Sequence, residues 1–269
     1  MVATPIGNLG DITARALETL KRVDIVAAED TRVARRLFTH FGIAAKVIAL
    51  HAHNERRASE QVLGWIAQQK SVALVSDAGT PTVSDPGALL VKNCLAAGYA
   101  VVPIPGASAL TAALSASGVV AEAVLYAGFL PASGRERRER LEALAGGPWA
   151  IVLFEAPHRI AQTLSDLHAA LGDREVVIAR ELTKRFETIT RIALAQAPAW
   201  VAAEPERRRG EFVLVIEGRP VEARQGEEPR AVLETLLAEL PLKQAVALAV
   251  KLTGARRNEL YALALKIKG

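Results

Sequence analysis

Apolar runs of four to six residues alternate along the first two thirds of the chain with stretches in which apolar residues return every three or four positions. That is the pattern of strands followed by amphipathic helices, and it predicts a largely parallel sheet. Runs at 24–28, 46–50, 72–75 and 100–104 read as strands, with helices near 33–41, 56–69 and 85–97. A first helix precedes them, capped by Asp11, with Ala14, Leu17 and Leu20 on one buried face. A second set begins near Gly118, with strands at 124–129, 150–154, 175–180 and 212–217 and helices near 136–145 and 159–171. Arg219–Pro229 mixes Pro220, Gly226 and Pro229 with charges and reads as a linker. Beyond it, 230–240, 242–252 and 255–267 are three short amphipathic helices, the last two joined by Thr253 and Gly254 in a helix-turn-helix pattern. The expectation is an α/β fold of two domains, 1–118 and 119–218, with a helical segment at 230–269.

Composition narrows the class. With 269 residues, 51% hydrophobic and 23% charged, the chain has the material for more than one core and is not a disordered polymer. Cys94 is the only cysteine, which excludes an internal disulfide framework and multi-cysteine metal sites and fits a reducing compartment. The first residues show no basic stretch followed by a long apolar one, so a cytoplasmic location is expected. Residues 93–121 carry no charge, but Gly98, Pro103, Pro105, Gly106 and Gly118 break them up, and they read as core elements rather than a membrane span. The net charge is +4, yet residues 241–269 alone hold six basic side chains against Glu259. A basic tail on a near-neutral body points to an anionic partner, nucleic acid before membrane.

The motifs that are missing exclude whole classes. There is no GxGxxG, no Gly-Lys pair of a phosphate-binding P-loop and no G-x-S-x-G nucleophile elbow. What stands at the strand ends instead is Ser76–Gly87, a Gly/Pro-rich loop with acids directly after the strand 72–75. In open α/β sheets ligands bind at such carboxyl ends. Gly79 allows close backbone approach and Asp77 can accept from a ligand hydroxyl or ammonium group. Asp85 and Pro86 read as the cap and first residue of the following helix. Pro103–Ser108 ends the next strand in the same way and opens a helix at Ala107, and Val2–Asn8 is a third such loop. Three loops can line one pocket.

The segments ATPIGNLGDIT, AAEDTR, HFGI, LHAHNE, ALVSDAGTP, DPG, PIPGASALTAALSASG, GFLP, FEAPHR, ARELTKRFET and GEFVLVIEG, with the tail LPLKQAVALAVKLTGARRNELYALAL, occur in this order over essentially the whole chain. Together they resemble the ribosomal RNA small-subunit methyltransferase I family, of the tetrapyrrole-methylase-like class. The resemblance implies two α/β domains with S-adenosylmethionine (AdoMet) in the cleft between them, and a soluble homodimer acting on 16S rRNA in the assembled 30S subunit. It implies 2′-O-methylation of one cytidine of the decoding region, cytidine 1402 in standard rRNA numbering. By motif, Pro5, Ile6, Asp77, Ala78, Gly79, Thr80, Ser108 and Ala109 are expected to contact AdoMet, with Phe154 and Leu182 as the far wall. Members of that family usually carry several more apolar residues ahead of ATPIGN, whereas here Met1 stands close to it.

Methyl transfer to a ribose hydroxyl is an in-line displacement that needs alignment first and a proton acceptor second, and it demands no metal. Glu181, Lys184 and Asp30 are the candidate catalytic residues. Asp30 with Glu29 ends a strand and either faces the cleft or caps the next helix, in which case Arg32 is solvated rather than gripping a phosphate. Glu181 and Lys184 either tune a proton transfer, hold a phosphate, or form a surface ion-pair network. His51 and His53 would share a strand face; with no cysteine near, a polar RNA-facing wall fits better than a metal site. Glu155 and His158 are further polar candidates. Arg135–Arg140 reads as a solvated helix face or a phosphate rail, and Arg207–Arg209 similarly. For RNA binding the candidates are Arg32, His53, Arg256, Arg257 and Tyr261, the last placed for stacking; the competing role for the tail is a helical cap on a partner subunit. A tetrapyrrole C-methyltransferase and a non-catalytic RNA-binding factor are the rival functions, opposed respectively by the basic tail and by the intact Asp77 and Ser108 loops.

Overall fold

The computed structural model describes residues 1–218 and 221–268, arranged around two sheets. After α1 (Ala14–Arg22) comes β1 (Ile25–Ala28), then α2 (Thr31–Phe41), β2 (Lys46–Ala49), α3 (Glu55–Ala67), β3 (Val72–Val75) and α4 (Ala88–Ala96). β1 lies between β2 and β3, parallel to both. All four β1 side chains are buried, which is why the strand reads as an unbroken apolar run: both its faces are covered. Ala16, Leu20, Ala34 and Phe38 of α1 and α2 pack on Val26 and Ala28, while Ala58, Val62, Leu90 and Cys94 of α3 and α4 pack on Ala27 and Leu74.

Local details differ from the sequence reading in instructive ways. Thr13, not Asp11, caps α1, accepting from the Ala16 amide at 3.1 Å; Asp11 sits in the preceding 3-10 turn. Gly87, not Asp85, is the N-cap of α4, and the missing side-chain acceptor is supplied from α3, where Glu55 accepts from the amides of Gly87 (2.8 Å) and Leu89 (3.0 Å). Residues 100–104 form no full strand. Ile104 makes a single parallel bridge with Val2, too short a ladder to extend, and Val102 is left 60% exposed.

α5 (Ala109–Ser117) crosses to the second sheet and packs Ala113 on Val177 and Val215. That sheet holds β4 (Val124–Phe129), β5 (Ala150–Glu155), β6 (Glu175–Arg180), β7 (Thr188–Ala193) and β8 (Phe212–Ile216), in the order β4-β5-β8-β6-β7. The expected parallel arrangement is corrected here: only β4 and β5 are parallel, because β8 inserts antiparallel between β5 and β6 and β7 returns as a hairpin on β6. α6 (Gly134–Ala145), α7 (Ile160–Leu171) and α8 (Ala197–Ala203) cover the face away from α5, around Ile151, Leu153, Ile178 and Leu214.

α9 (Val221–Glu239), α10 (Leu242–Thr253) and α11 (Arg257–Lys268) enclose a core of their own around Leu233, Val246 and Leu260. The expected linker is therefore helix from Val221 onward, with Pro229 inside it; Arg219 and Pro220 lie outside the described residues. One proline removes one backbone bond, and the packing of Leu233 and Leu237 in the bundle outweighs that loss. Among the described residues no helix is long and apolar enough to cross a membrane.

Candidate functional site in the cleft between the sheets

The three expected loops do meet. Thr4 and Gly79 exchange two backbone hydrogen bonds, at 2.9 and 3.0 Å, and the Thr80 hydroxyl donates to the Ala107 carbonyl at 3.2 Å. Gly79 has φ +81°, which strains any other residue, and a Cβ there would crowd Ile6 Cγ2 at 3.2 Å. α5 starts at Ala109 rather than Ala107, with Ser108 as an N-cap that makes no side-chain bond, leaving the amides of its first turn unclaimed by Ser108. Ile6, Ala109, Leu182 and Phe154 belong to one apolar cluster that joins the N-terminal loop and α5 to the second sheet. Pro5 and Asp77 line an adjoining cavity of about 250 Å³ with Thr4, Ser76, Val33 and Leu37. A larger cavity, about 380 Å³, lies away from these loops between β3, α3 and α4, against apolar side chains such as Val62 and Leu90.

The facing wall is the turn after β6. Glu181 (φ +51°) and Thr183 (φ +65°) are both left-handed without being glycine. Buried Arg180 holds this turn by donating to the carbonyls of Phe186, Glu206 and Arg209 and to the Thr188 hydroxyl. Gly7 packs directly on it: a Cβ would lie 2.4 Å from Lys184 Cγ and 3.1 Å from the Leu182 carbonyl oxygen. Lys184 Nζ donates to Glu181 at 2.8 Å and Glu211 at 2.9 Å. Burial works against both charges, but these bonds outweigh it, so the lysine sits above its ordinary pKa and Glu181 below. A pair in that state anchors the wall; neither member is set to take a proton near neutrality.

Carboxylates gather on the other side. Asp30 caps α2, accepting from the Arg32 amide at 2.8 Å and from the Arg32 guanidinium, which holds its pKa at about 2. Both side chains of that alternative are thereby used in the cap. Asp77 accepts from the Asp30 amide at 2.9 Å. Glu29 is pushed above its ordinary pKa by burial and then by Asp85 and Asp77, and Asp85 is raised by burial and Asp77 against a bond from Ser76. Across the cleft Tyr126 of β4 meets Ser84 at 2.5 Å between hydroxyl oxygens. The cleft is thus pinned at two points, Ser84–Tyr126 beside β4 and Gly7–Lys184 after β6. Three strand spacings separate those strands, about 14 Å at ~4.8 Å each.

The remaining candidates lie elsewhere. β2 ends at Ala49, so His51 and His53 occupy a turn rather than one strand face; His53 is exposed, while His51 Nδ1 is buried without a partner. Among the described residues no three His, Cys, Asp or Glu side chains are grouped to hold a metal. Glu155 is buried and accepts from the Thr163 hydroxyl at 2.6 Å, a structural role. The expected rail 135–140 loses Arg137, which is buried against Asp166 at 2.6 Å, and Arg207 stacks on Trp200. Arg256 precedes α11 rather than opening it, Arg257 is its first residue, and Tyr261 is part-exposed on it. Sequence reasoning reached Gly7 only as part of the loop Val2–Asn8 and Arg180 only as part of the polar run 180–187, and it missed Tyr126, which lay inside the strand 124–129; the pairing of the two sheets gives each its role.

Residues 1–198 match the family model for tetrapyrrole (corrin/porphyrin) methylases, and residues 223–268 match that for the RsmI C-terminal HTH domain. The ribosomal RNA small subunit methyltransferase I of Pseudomonas aeruginosa is 48% identical over 273 positions, covering 100% of this chain and 97% of that protein. The chain belongs to this family. The Escherichia coli O157:H7 member is 47% identical over 100% of this chain and 95% of its own. Among solved structures, a cobalt precorrin-4 methyltransferase superposes with TM-score 0.59 at 20% identity, covering 80% of this chain and 92% of that one. A Thermus thermophilus uroporphyrin-III C-methyltransferase complexed with S-adenosyl homocysteine gives 0.54 at 18% identity, covering 80% and 95%. These two share the fold. The family's two-domain methylase architecture and helix-turn-helix tail are those described above, and the protein is a methyltransferase.

Proposed function

We propose that this methyltransferase moves the methyl group of AdoMet to the ribose 2′-hydroxyl of cytidine 1402 in the decoding region of 16S rRNA. The observation that supports the reading best is the full-length match to rRNA small subunit methyltransferase I, methylase portion and tail together. In this reading 1–118 supplies the cofactor loops, 119–218 the facing wall, and 230–269 the contacts to RNA through Arg256, Arg257 and Tyr261. The substrate is the assembled 30S subunit, and the enzyme works as a homodimer in the cytoplasm.

The cleft fits AdoMet chemically. Gly79, where a Cβ would fill the space beside Ile6, leaves the backbone open to a ligand. The first turn of α5 offers amides to a carboxylate, Asp77 retains acceptor capacity for an ammonium or ribose hydroxyl, and Ile6, Leu182 and Phe154 offer apolar surface. AdoMet supplies an electrophilic methyl group on a sulfonium. The protein's part is alignment, the larger effect, and removal of the hydroxyl proton. Glu29 and Asp85 are the carboxylates held with raised proton affinity, which suits a base; Asp30 at about 2 is a weak one. Glu181 and Lys184 hold the wall in place.

The test is incubation of the protein with radiolabelled AdoMet and small subunits from a strain lacking the modification, with the label mapped by nuclease protection and mass spectrometry. Label on one decoding-region ribose is expected. AdoMet binding with no label in small-subunit rRNA would overturn the proposal.

A further inference from the structure

β4 is an edge strand whose ladder with β5 runs regularly to Tyr126↔Val152 and then slips, so that Gly128 pairs with Leu153 and Phe129 with Phe154. Under strict alternation Phe129 would share a face with Leu125 and Ala127, which pack in the core on the far side. The inserted residue, with Gly128 at φ +64°, turns Phe129 over onto the cleft face, and Leu130 takes the place in the far-side core instead. Bulges that re-aim one side chain beside a site are a recurrent device. Here the re-aimed ring stands 5.7 Å from Phe154, edge to face, and Phe154 stands 5.1 Å from Tyr126 in the same manner.

Phe129 is 54% exposed, in a chain where aromatic residues are only 4% of the sequence. A ring presented by a bulge and left half in water is not serving the core. What covers it is not a phosphate, because Glu29, Asp77 and Asp85 on the opposite wall give the cleft a negative floor that repels anions, and a flat neutral ring matches the exposed face of Phe129. Ile6, Ala109 and Leu182 of the apolar cluster lie toward β6 and, with Phe154, are the apolar surface proposed for the cofactor; the exposed Phe129 lies on the β4 side of Phe154, outside that set.

We propose that Phe129 is a positioning residue that stacks the base of the acceptor nucleotide, so that a single nucleoside enters the cleft out of its strand while the flanking phosphates stay outside. The inference rests on the proposed RNA substrate. Base–aromatic stacking is sequence-tolerant and is the usual means of holding an unstacked base.

Phe129→Leu keeps the apolar volume and removes the ring face; Phe129→Trp keeps the face. With small subunits lacking the modification as substrate, Phe129→Leu is expected to lower kcat/KM by about 10- to 100-fold, mainly through KM, with the AdoMet Kd and Tm of the wild type. Phe129→Trp is expected to retain activity, and its added emission to be quenched by a cytidine-containing oligoribonucleotide in the presence of S-adenosyl homocysteine. Wild-type kcat/KM in Phe129→Leu overturns the proposal, as does a parallel loss of AdoMet affinity, which would make the ring an adenine platform. Should the wild type label no RNA, the substrate reading fails; the Trp quench then decides the stacking on its own, and its absence sinks it.

Discussion

Gly7 shows how much can depend on a missing side chain. Its Cα lies against the Leu182 carbonyl and the Lys184 stem, so the β6 turn and the N-terminal loop touch only because no Cβ intervenes. Gly7→Ala is expected to prise this end of the cleft open and weaken AdoMet binding at least tenfold, about 1.4 kcal/mol, measurable by calorimetry. Glu29 makes the opposite kind of statement. Its folded pKa lies above the ordinary 4.5, so holding it ionised costs stability once the pH exceeds that folded value, and the cost vanishes below the unfolded one. Glu29→Gln should therefore raise Tm at pH 7 and leave it unchanged near pH 4, while lowering methyl transfer by about 10²- to 10⁴-fold if Glu29 takes the proton. A lower Tm at pH 7 would contradict the assignment of burial and like charge as the cause. Such a trade of stability for activity is common at functional sites.

Among the elements, those with the plainest periodicity were legible in the sequence. The four apolar residues of β3 and the six positions of β6 match the structure residue for residue, because a strand buried on both faces leaves an uninterrupted run; the six positions of β4 match as well, although that strand is a part-exposed edge. β7 was missed since Thr188, Thr190 and Arg191 dilute its alternation at the sheet edge, and α8 since its seven residues are too few to display a period. Residues 100–104 were over-read because an apolar run carries no information about whether a neighbour is long enough to pair with it. Charge patterning misled at α6, where Arg137 looks like one more solvated arginine but is buried against Asp166, with side chains 6% and 8% exposed. Arg137→Ala should leave an unpaired buried carboxylate and cost about 3–5 kcal/mol in a urea titration. Replacing both partners by apolar residues of similar volume should recover most of that loss.

Across the whole molecule, the sequence could name the loops but not the faces they turn to each other. That β4 and the turn after β6 pin the two ends of one cleft depends on β8 inserting into the second sheet, a long-range choice with no local signature. The carriers of charge were easier to read, being compositional: the helical bundle has its own core, and residues 241–269, its last two helices, bear the excess of basic residues. Reversing Arg256 and Arg257 to Glu should weaken binding to small-subunit RNA and reduce the magnitude of the salt-dependence slope by about 2, without changing AdoMet affinity. An unchanged slope would return the tail to a subunit-packing role. The helix that carries Cys94 gives a way to watch the other end of the molecule. The chain's only thiol is 5% exposed between α4 and β3, and burial pushes its pKa up, so it resists alkylation while that packing is intact. Its labelling rate is consequently a clock for opening of the first domain, and a ligand that binds only the closed form should slow that clock by the factor 1 + [L]/Kd, turning a chemical modification into a binding isotherm.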